Sequence, residues 1–158
     1  MNSLSLCEQL AQALQSRGWM MATAESCTGG LIAARCTDLS GSSLWFERGF
    51  VTYSNAAKTE MLGVSAALIT QHGAVSEPVA CAMAQGALHH AHVQLSVAVT
   101  GIAGPTGGSA DKPVGTVWFA WCVNGHTSSE RQVFEGRRAD VREATVLHAL
   151  RGVLARLG

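Results

Sequence analysis

The chain of 158 residues carries no charge excess of either sign: eleven Lys and Arg balance eleven Asp and Glu, and charged residues make up only 14% of it. No global field draws it to nucleic acid or to an anionic membrane, so neither is expected as a partner, and an anionic ligand must be held by local groups. It also lacks any C-x-x-C pair. Its cysteines, Cys7, Cys27, Cys36, Cys81 and Cys122, are odd in number and scattered, which argues against a disulfide framework and against a zinc site. Its six histidines show no zincin spacing, and His89 to His92 are expected at a helix end, where a cationic imidazole suits the dipole. No apolar run approaches the roughly 20 residues that span a bilayer. No basic segment followed by an apolar one opens the chain, so no signal peptide is expected and a reducing cytoplasm is the expected location.

What the chain does have is apolar content, 47% of its residues. A domain of about 150 residues buries roughly 70% of its unfolded surface, so one domain spanning residues 1–158 is expected to hold a core without staples. Leu6, Leu10 and Leu14 recur at helical spacing in a segment from Ser3 to Gly18, with Gly18 as its C-cap. Short apolar stretches at Met20 to Ala24, Gly49 to Ser54 and Leu95 to Val99 read as strands. Leu31 to Cys36 and Ala56 to Leu62 suit short helices. Ser76-Glu77-Pro78 opens a helix running to about Ala91, with Ser76 placed to cap it. Val114 to Val123 and Thr127 to Phe134 flank Asn124-Gly125, a strong hairpin signal, and Val141 to Leu157 reads as a closing amphipathic helix. Helices alternating with strands, plus one late hairpin, imply an α/β layered domain with a mixed sheet.

Three Gly- and hydroxyl-rich turns follow apolar segments: Glu25 to Gly30, Ser40 to Ser43 and Thr100 to Gly108. In open α/β sheets such loops gather beyond the carboxyl ends of the strands and suit a phosphate or carboxylate, although each alone is equally well a turn. The segment Gly101 to Gly108 matches neither a Walker loop nor a dinucleotide fingerprint. Ser42, Ser43, Tyr53 and Lys58 fall within one turn–strand–helix stretch. A serine hydroxyl needs a base beside it, and a lysine becomes one when burial lowers its pKa from about 10.4. A tyrosine hydroxyl can relay the proton between them. The same residues also read as a surface lysine and a core tyrosine. Cys27 is either a reactive thiol, its pKa lowered beside a helix start, or a buried filler. Arg137, Arg138 and Arg142 are either solvated charges or an anion clamp.

Six ordered motifs, from Thr23-Ala24-Glu25-Ser26-Cys27-Thr28-Gly29-Gly30 through Gly41-Ser42-Ser43, Thr52-Tyr53-Ser54-Asn55 with Lys58, Gly73-Ala74-Val75-Ser76, Thr100-Gly101-Ile102-Ala103-Gly104-Pro105, and Lys112-Pro113-Val114-Gly115-Thr116-Val117, resemble the CinA carboxy-terminal family. The resemblance implies a three-layer α/β/α sandwich with a mixed, mostly parallel sheet, and a homodimer. It implies hydrolysis of nicotinamide mononucleotide to nicotinate mononucleotide and ammonia, without metal or cofactor, in the recycling of pyridine nucleotides. The pyrophosphatase activity linked to an additional domain of longer members is not expected. The family's Ser-Lys-Tyr site falls on Ser43, Lys58 and Tyr53, with Ser26 as the other candidate nucleophile. Substrate contacts are expected from Gly41, Ser42, Thr100 and Gly101, and from an arginine that is Arg138 or Arg142. Oxyanion donors are expected near Gly41 to Ser43 or at Gly101. Two other readings remain at this stage: a non-catalytic nucleotide-binding or regulatory module linked to competence, and a Cys27-dependent amidase.

Overall fold

The computed structural model describes residues 1–158. Helix α1 (Ser3–Arg17) is capped by Asn2, whose Oδ1 accepts from the Ser5 amide at 2.9 Å, and it ends on Gly18 in the left-handed conformation. Strand β1 (Met21–Glu25) follows, then α2 (Leu31–Thr37), a single 3₁₀ turn (Ser42–Leu44) and β2 (Phe46–Val51). Helices α3 (Asn55–Leu62), α4 (Ala66–His72) and α5 (Glu77–Ala91) lead to β3 (Leu95–Gly101), then to β4 (Thr116–Val123) and β5 (His126–Val133), and α6 (Arg138–Leu157) closes the chain.

The sheet runs in the order β2-β1-β3-β4-β5. β1 pairs in parallel with both β2 and β3, while β3–β4 and β4–β5 are antiparallel. The sandwich and mixed sheet expected from the sequence are therefore present, with two of the four pairings parallel. All five β1 residues are buried, as a central strand covered on both faces requires. Asn124 and Gly125 both have positive φ, 49° and 84°, the geometry of the two-residue turn between β4 and β5.

The two faces of the sheet are built differently. Met21, Leu95, Val97, Val99, Phe119 and Trp121 form one core with α1, α2 and α6. Ala22, Ala24, Ala98 and Ala120 face the other way, onto Ala80, Ala84 and Ala87 of α5. Alanine on both sides of that contact brings α5 close to the strands, while the bulky face fills the wider gap beneath α1 and α6. Gly152 of α6 lies directly on Trp121, where a Cβ would come within 2.1 Å of the indole.

Several boundaries differ from the sequence reading. β2 starts at Phe46 and stops at Val51, so Thr52 and Tyr53 lie beyond it. The cause is Ser54, whose Oγ accepts from the Ala57 amide at 3.0 Å and so starts α3. α6 begins three residues earlier than its apolar periodicity suggests, because Asp140 reaches back to the Arg137 amide at 2.8 Å. Ser76 stands at the head of α5, but its hydroxyl donates to the Gly73 carbonyl at 2.8 Å instead of capping the helix. α4, capped by Ser65, was not anticipated.

Candidate active site

The carboxyl ends of the three parallel strands converge on one cavity of about 300 Å³. Ser26 leaves β1, Tyr53 follows β2, and Thr100 and Gly101 end β3. Cys27 beside Ser26, Asn55 and Lys58 of α3, Ala74 and Val75 ahead of α5, the loop from Ile102 to Gly107, and Arg138 complete the wall. This is the crevice in which an open α/β sheet offers a ligand room. No carboxylate lines it, and its two charged groups, Lys58 and Arg138, are both basic.

Lys58 sits in the first turns of α3 and is only 1% exposed. Its Nζ lies 3.1 Å from Ser26 Oγ, 3.1 Å from the Thr52 carbonyl oxygen and 3.4 Å from that of Tyr53. No acid pairs with it. Burial strips water from the ammonium form and pushes its pKa below the ordinary lysine value. A neutral amine has two N–H groups and one lone pair. Nζ donates to Ser26 Oγ and to both carbonyls; once neutral, it keeps its two N–H groups for the carbonyls and turns its lone pair to the Ser26 hydroxyl.

Ser26 is held by its backbone, its amide donating to the Val99 carbonyl and its own carbonyl accepting from Gly29, both at 3.1 Å. The tight turn that follows uses Gly29 and Gly30 at φ 59° and 102°. Thr100 is buried, and its hydroxyl donates to the Ala74 carbonyl at 3.0 Å, tying β3 to the loop ahead of α5. Gly101 admits no side chain: a Cβ there would lie 2.7 Å from Val117 Cγ2 and 2.9 Å from the Thr116 carbonyl oxygen.

Of the expected site residues, Ser26, Lys58, Thr100, Gly101, Tyr53 and Arg138 come together at the cavity. Gly41, Ser42 and Ser43 do not. They lie at the opposite end of β2 from Tyr53, and at about 3.3 Å per residue a six-residue strand separates the two ends by nearly 20 Å. The expected Ser43–Lys58 contact is therefore absent within the chain, because β2 runs between the two residues. Tyr53 is at the cavity, but its phenol accepts from Arg138 Nη2 at 3.1 Å, and only its backbone carbonyl meets Lys58. Arg138 also donates to the Gly104 carbonyl at 2.9 Å. Arg142 turns away from the cavity, donating to the Cys27 and Thr28 carbonyls at 3.3 and 3.0 Å.

Cys27 is buried, and desolvation pushes its thiol up to about 12, which goes against the reactive-thiol alternative and with the buried filler. The turn does not set its sulfur free at a helix end; the sulfur lies against Gly101. The histidines from His89 to His92 do close α5, as expected, and do not line the cavity. Two features escaped the sequence reading. Asn55 and Thr106 line the cavity, and Glu25 is a fully buried carboxylate beneath it. Its position at the end of a strand whose other residues are Met, Ala, Thr and Ala was the available signal.

A family model described as the CinA C-terminal domain matches residues 3–157. The nicotinamide-nucleotide amidohydrolase PncC of Escherichia coli (strain K12) is 54% identical over 148 residues, covering 93% of this chain and 90% of that protein. The protein of the same name from Pseudomonas putida is 51% identical over 150 residues, covering 95% and 94%. Among solved structures, the competence damage-inducible protein A of Klebsiella pneumoniae superposes with a TM-score of 0.96 at 39% identity, covering 99% of this chain and 98% of that one.

Proposed function

Since the chain belongs to the CinA C-terminal domain family, we propose that it hydrolyses the carboxamide of nicotinamide mononucleotide to nicotinate mononucleotide and ammonia, with Ser26 as nucleophile and Lys58 as base. The observation that carries this reading is the 3.1 Å contact between Lys58 Nζ and Ser26 Oγ inside a cavity that holds no acid. The name that two relatives share supports the substrate, and the amine beside the hydroxyl supports the means.

In this reading Lys58, uncharged, takes the proton as Ser26 Oγ attacks the carboxamide carbon. Backbone amides of the serine turn or of the loop from Gly101 to Gly104 face the developing oxyanion, a role in which one donor is typically worth about 3 kcal/mol of barrier. The ammonium of Lys58 then returns its proton to the departing nitrogen, giving ammonia and a Ser26 ester. Water, deprotonated by the same amine, releases the nicotinate product. Arg138, whose guanidinium suits a phosphate, lines the cavity together with Thr106 and Gly107. Thr100 and Gly101 bound the reacting end. The steps call on no metal or cofactor, and a homodimer is part of the same proposal.

Purified protein incubated with nicotinamide mononucleotide should yield nicotinate mononucleotide by mass and equimolar ammonia. Ser26→Ala and Lys58→Ala should each abolish release, and the double variant should lose no more than either single one, the mark of groups acting as a unit. Ser43→Ala should stay active. Tight binding of the nucleotide with no ammonia released would instead support the regulatory reading. Loss of activity in Cys27→Ser, with Ser26→Ala unaffected, would support the thiol reading.

A further inference from the structure

We propose that Glu25 and Arg142 are paired positioning residues that hold the serine turn, the first by accepting from Thr28 and the start of α2 and the second by donating to the Cys27 and Thr28 carbonyls, and so set the Ser26–Lys58 distance. The proposal rests on the reading of Ser26 as the attacking group. The turn from Ser26 to Gly30 is a poor platform by composition. It contains two consecutive glycines of positive φ, and Gly30 supplies no side-chain cap to the short helix that follows. Left to itself such a segment samples many conformations.

Glu25 supplies what Gly30 lacks. Its carboxylate, fully buried, accepts from Thr28 Oγ1 at 2.5 Å and from the amides of Ile32 and Ala33 at 2.7 and 3.0 Å. No cation faces it. A buried carboxylate without a counter-ion survives only through charge-assisted hydrogen bonds, and here it has three, two of them from the opening amides of α2. Arg142 does the converse from α6. It too lacks an oppositely charged partner, and its guanidinium donates to the carbonyls of Cys27 and Thr28, the two residues directly after Ser26. The carboxylate thus takes one donor of the turn and two from the helix that follows it, and the guanidinium takes two acceptors of the turn. Neither side chain lines the cavity, so neither is placed to touch substrate.

The function of such a clamp is distance control. A nucleophile displaced by about 1 Å loses on the order of 100-fold in rate. Arg142→Gln and Glu25→Gln should therefore lower kcat by roughly 10- to 100-fold while KM stays within about twofold, and Arg142→Lys should recover part of the loss. Labelling of Ser26 by a fluorophosphonate probe, which needs no nucleotide, should slow in step. Arg138→Gln is the comparison: its effect should fall on KM. A raised KM at unchanged kcat in Arg142→Gln would put that guanidinium on the substrate and overturn the proposal. So would unchanged kcat and labelling. Should Glu25→Gln fail to fold, the Arg142 pair still decides. Wild-type turnover in Ser26→Ala would remove the underlying reading instead; an inactive Ser26→Ala beside a fully active Arg142→Gln would remove only the clamp.

Discussion

At the scale of single residues, the chemistry turns on the charge state of one amine. Burial lowers the pKa of Lys58, and the proposed mechanism needs it neutral. Activity should therefore rise with pH through an ascending limb below the ordinary lysine value of about 10.4, read as kcat/KM against pH. Lys58→Arg should leave no such limb and no activity, since a guanidinium stays charged throughout. Stability follows the same sign. The folded state releases this proton before the unfolded one, so the contribution of Lys58 is complete above the unfolded value and is lost as pH falls through the folded one. At the other basic side chain of the cavity, Arg138→Gln should raise KM for nicotinamide mononucleotide and leave turnover of the phosphate-free riboside unchanged. Equal losses on both compounds would place Arg138 elsewhere than on phosphate.

At the scale of elements, α3 matters most, because it carries Lys58, the proposed base. Its start depends on the Ser54 hydroxyl, and Ser54→Ala should cost about 1 kcal/mol. For a chain of this size that lowers Tm by roughly 2–4 °C in a thermal melt. Its far end rests on α5 at Gly86, where a Cβ would lie 2.1 Å from the Leu62 carbonyl oxygen. Gly86→Ala must push α3 off α5. Overpacking of this kind costs about 1–3 kcal/mol, and here it also displaces Lys58, so kcat should fall well below what the loss of folded protein explains. A variant that melts early but turns over normally when folded would show that α3 moves as a rigid body around its active-site end.

At the scale of the whole molecule, the chain places its ligand site with no help from net charge. Eleven acidic and eleven basic residues cancel, and the positive character of the cavity comes from Arg138, joined by Lys58 only when that amine is protonated. With so few charges to screen, KM for the nucleotide should rise only modestly between low and physiological salt, in contrast to the steep dependence of a protein that binds through many cations. Chelator should leave ammonia release unchanged; reversible inhibition by EDTA would contradict the proposed metal-free route. No helix is long and apolar enough to cross a membrane. Light scattering on the purified protein tests the proposed homodimer.

The layered α/β class, the helix at Leu6, Leu10 and Leu14, and the Asn124-Gly125 hairpin were legible in sequence, because each rests on local periodicity or turn chemistry. So was most of the cast of the candidate site: Ser26, Tyr53, Lys58 and Thr100 stood out by type and motif, and the arginine was narrowed to Arg138 or Arg142. Which hydroxyl meets the amine was not legible. Ser43 is nearer to Lys58 along the chain than Ser26, yet the parallel pairing of β1 with β2 carries Ser43 to the far end of the sheet and brings Ser26 to 3.1 Å. Distance along a chain says little once a strand intervenes. Only the tertiary structure decided that Arg138 faces the cavity while Arg142, one helical turn away, grips the backbone behind it.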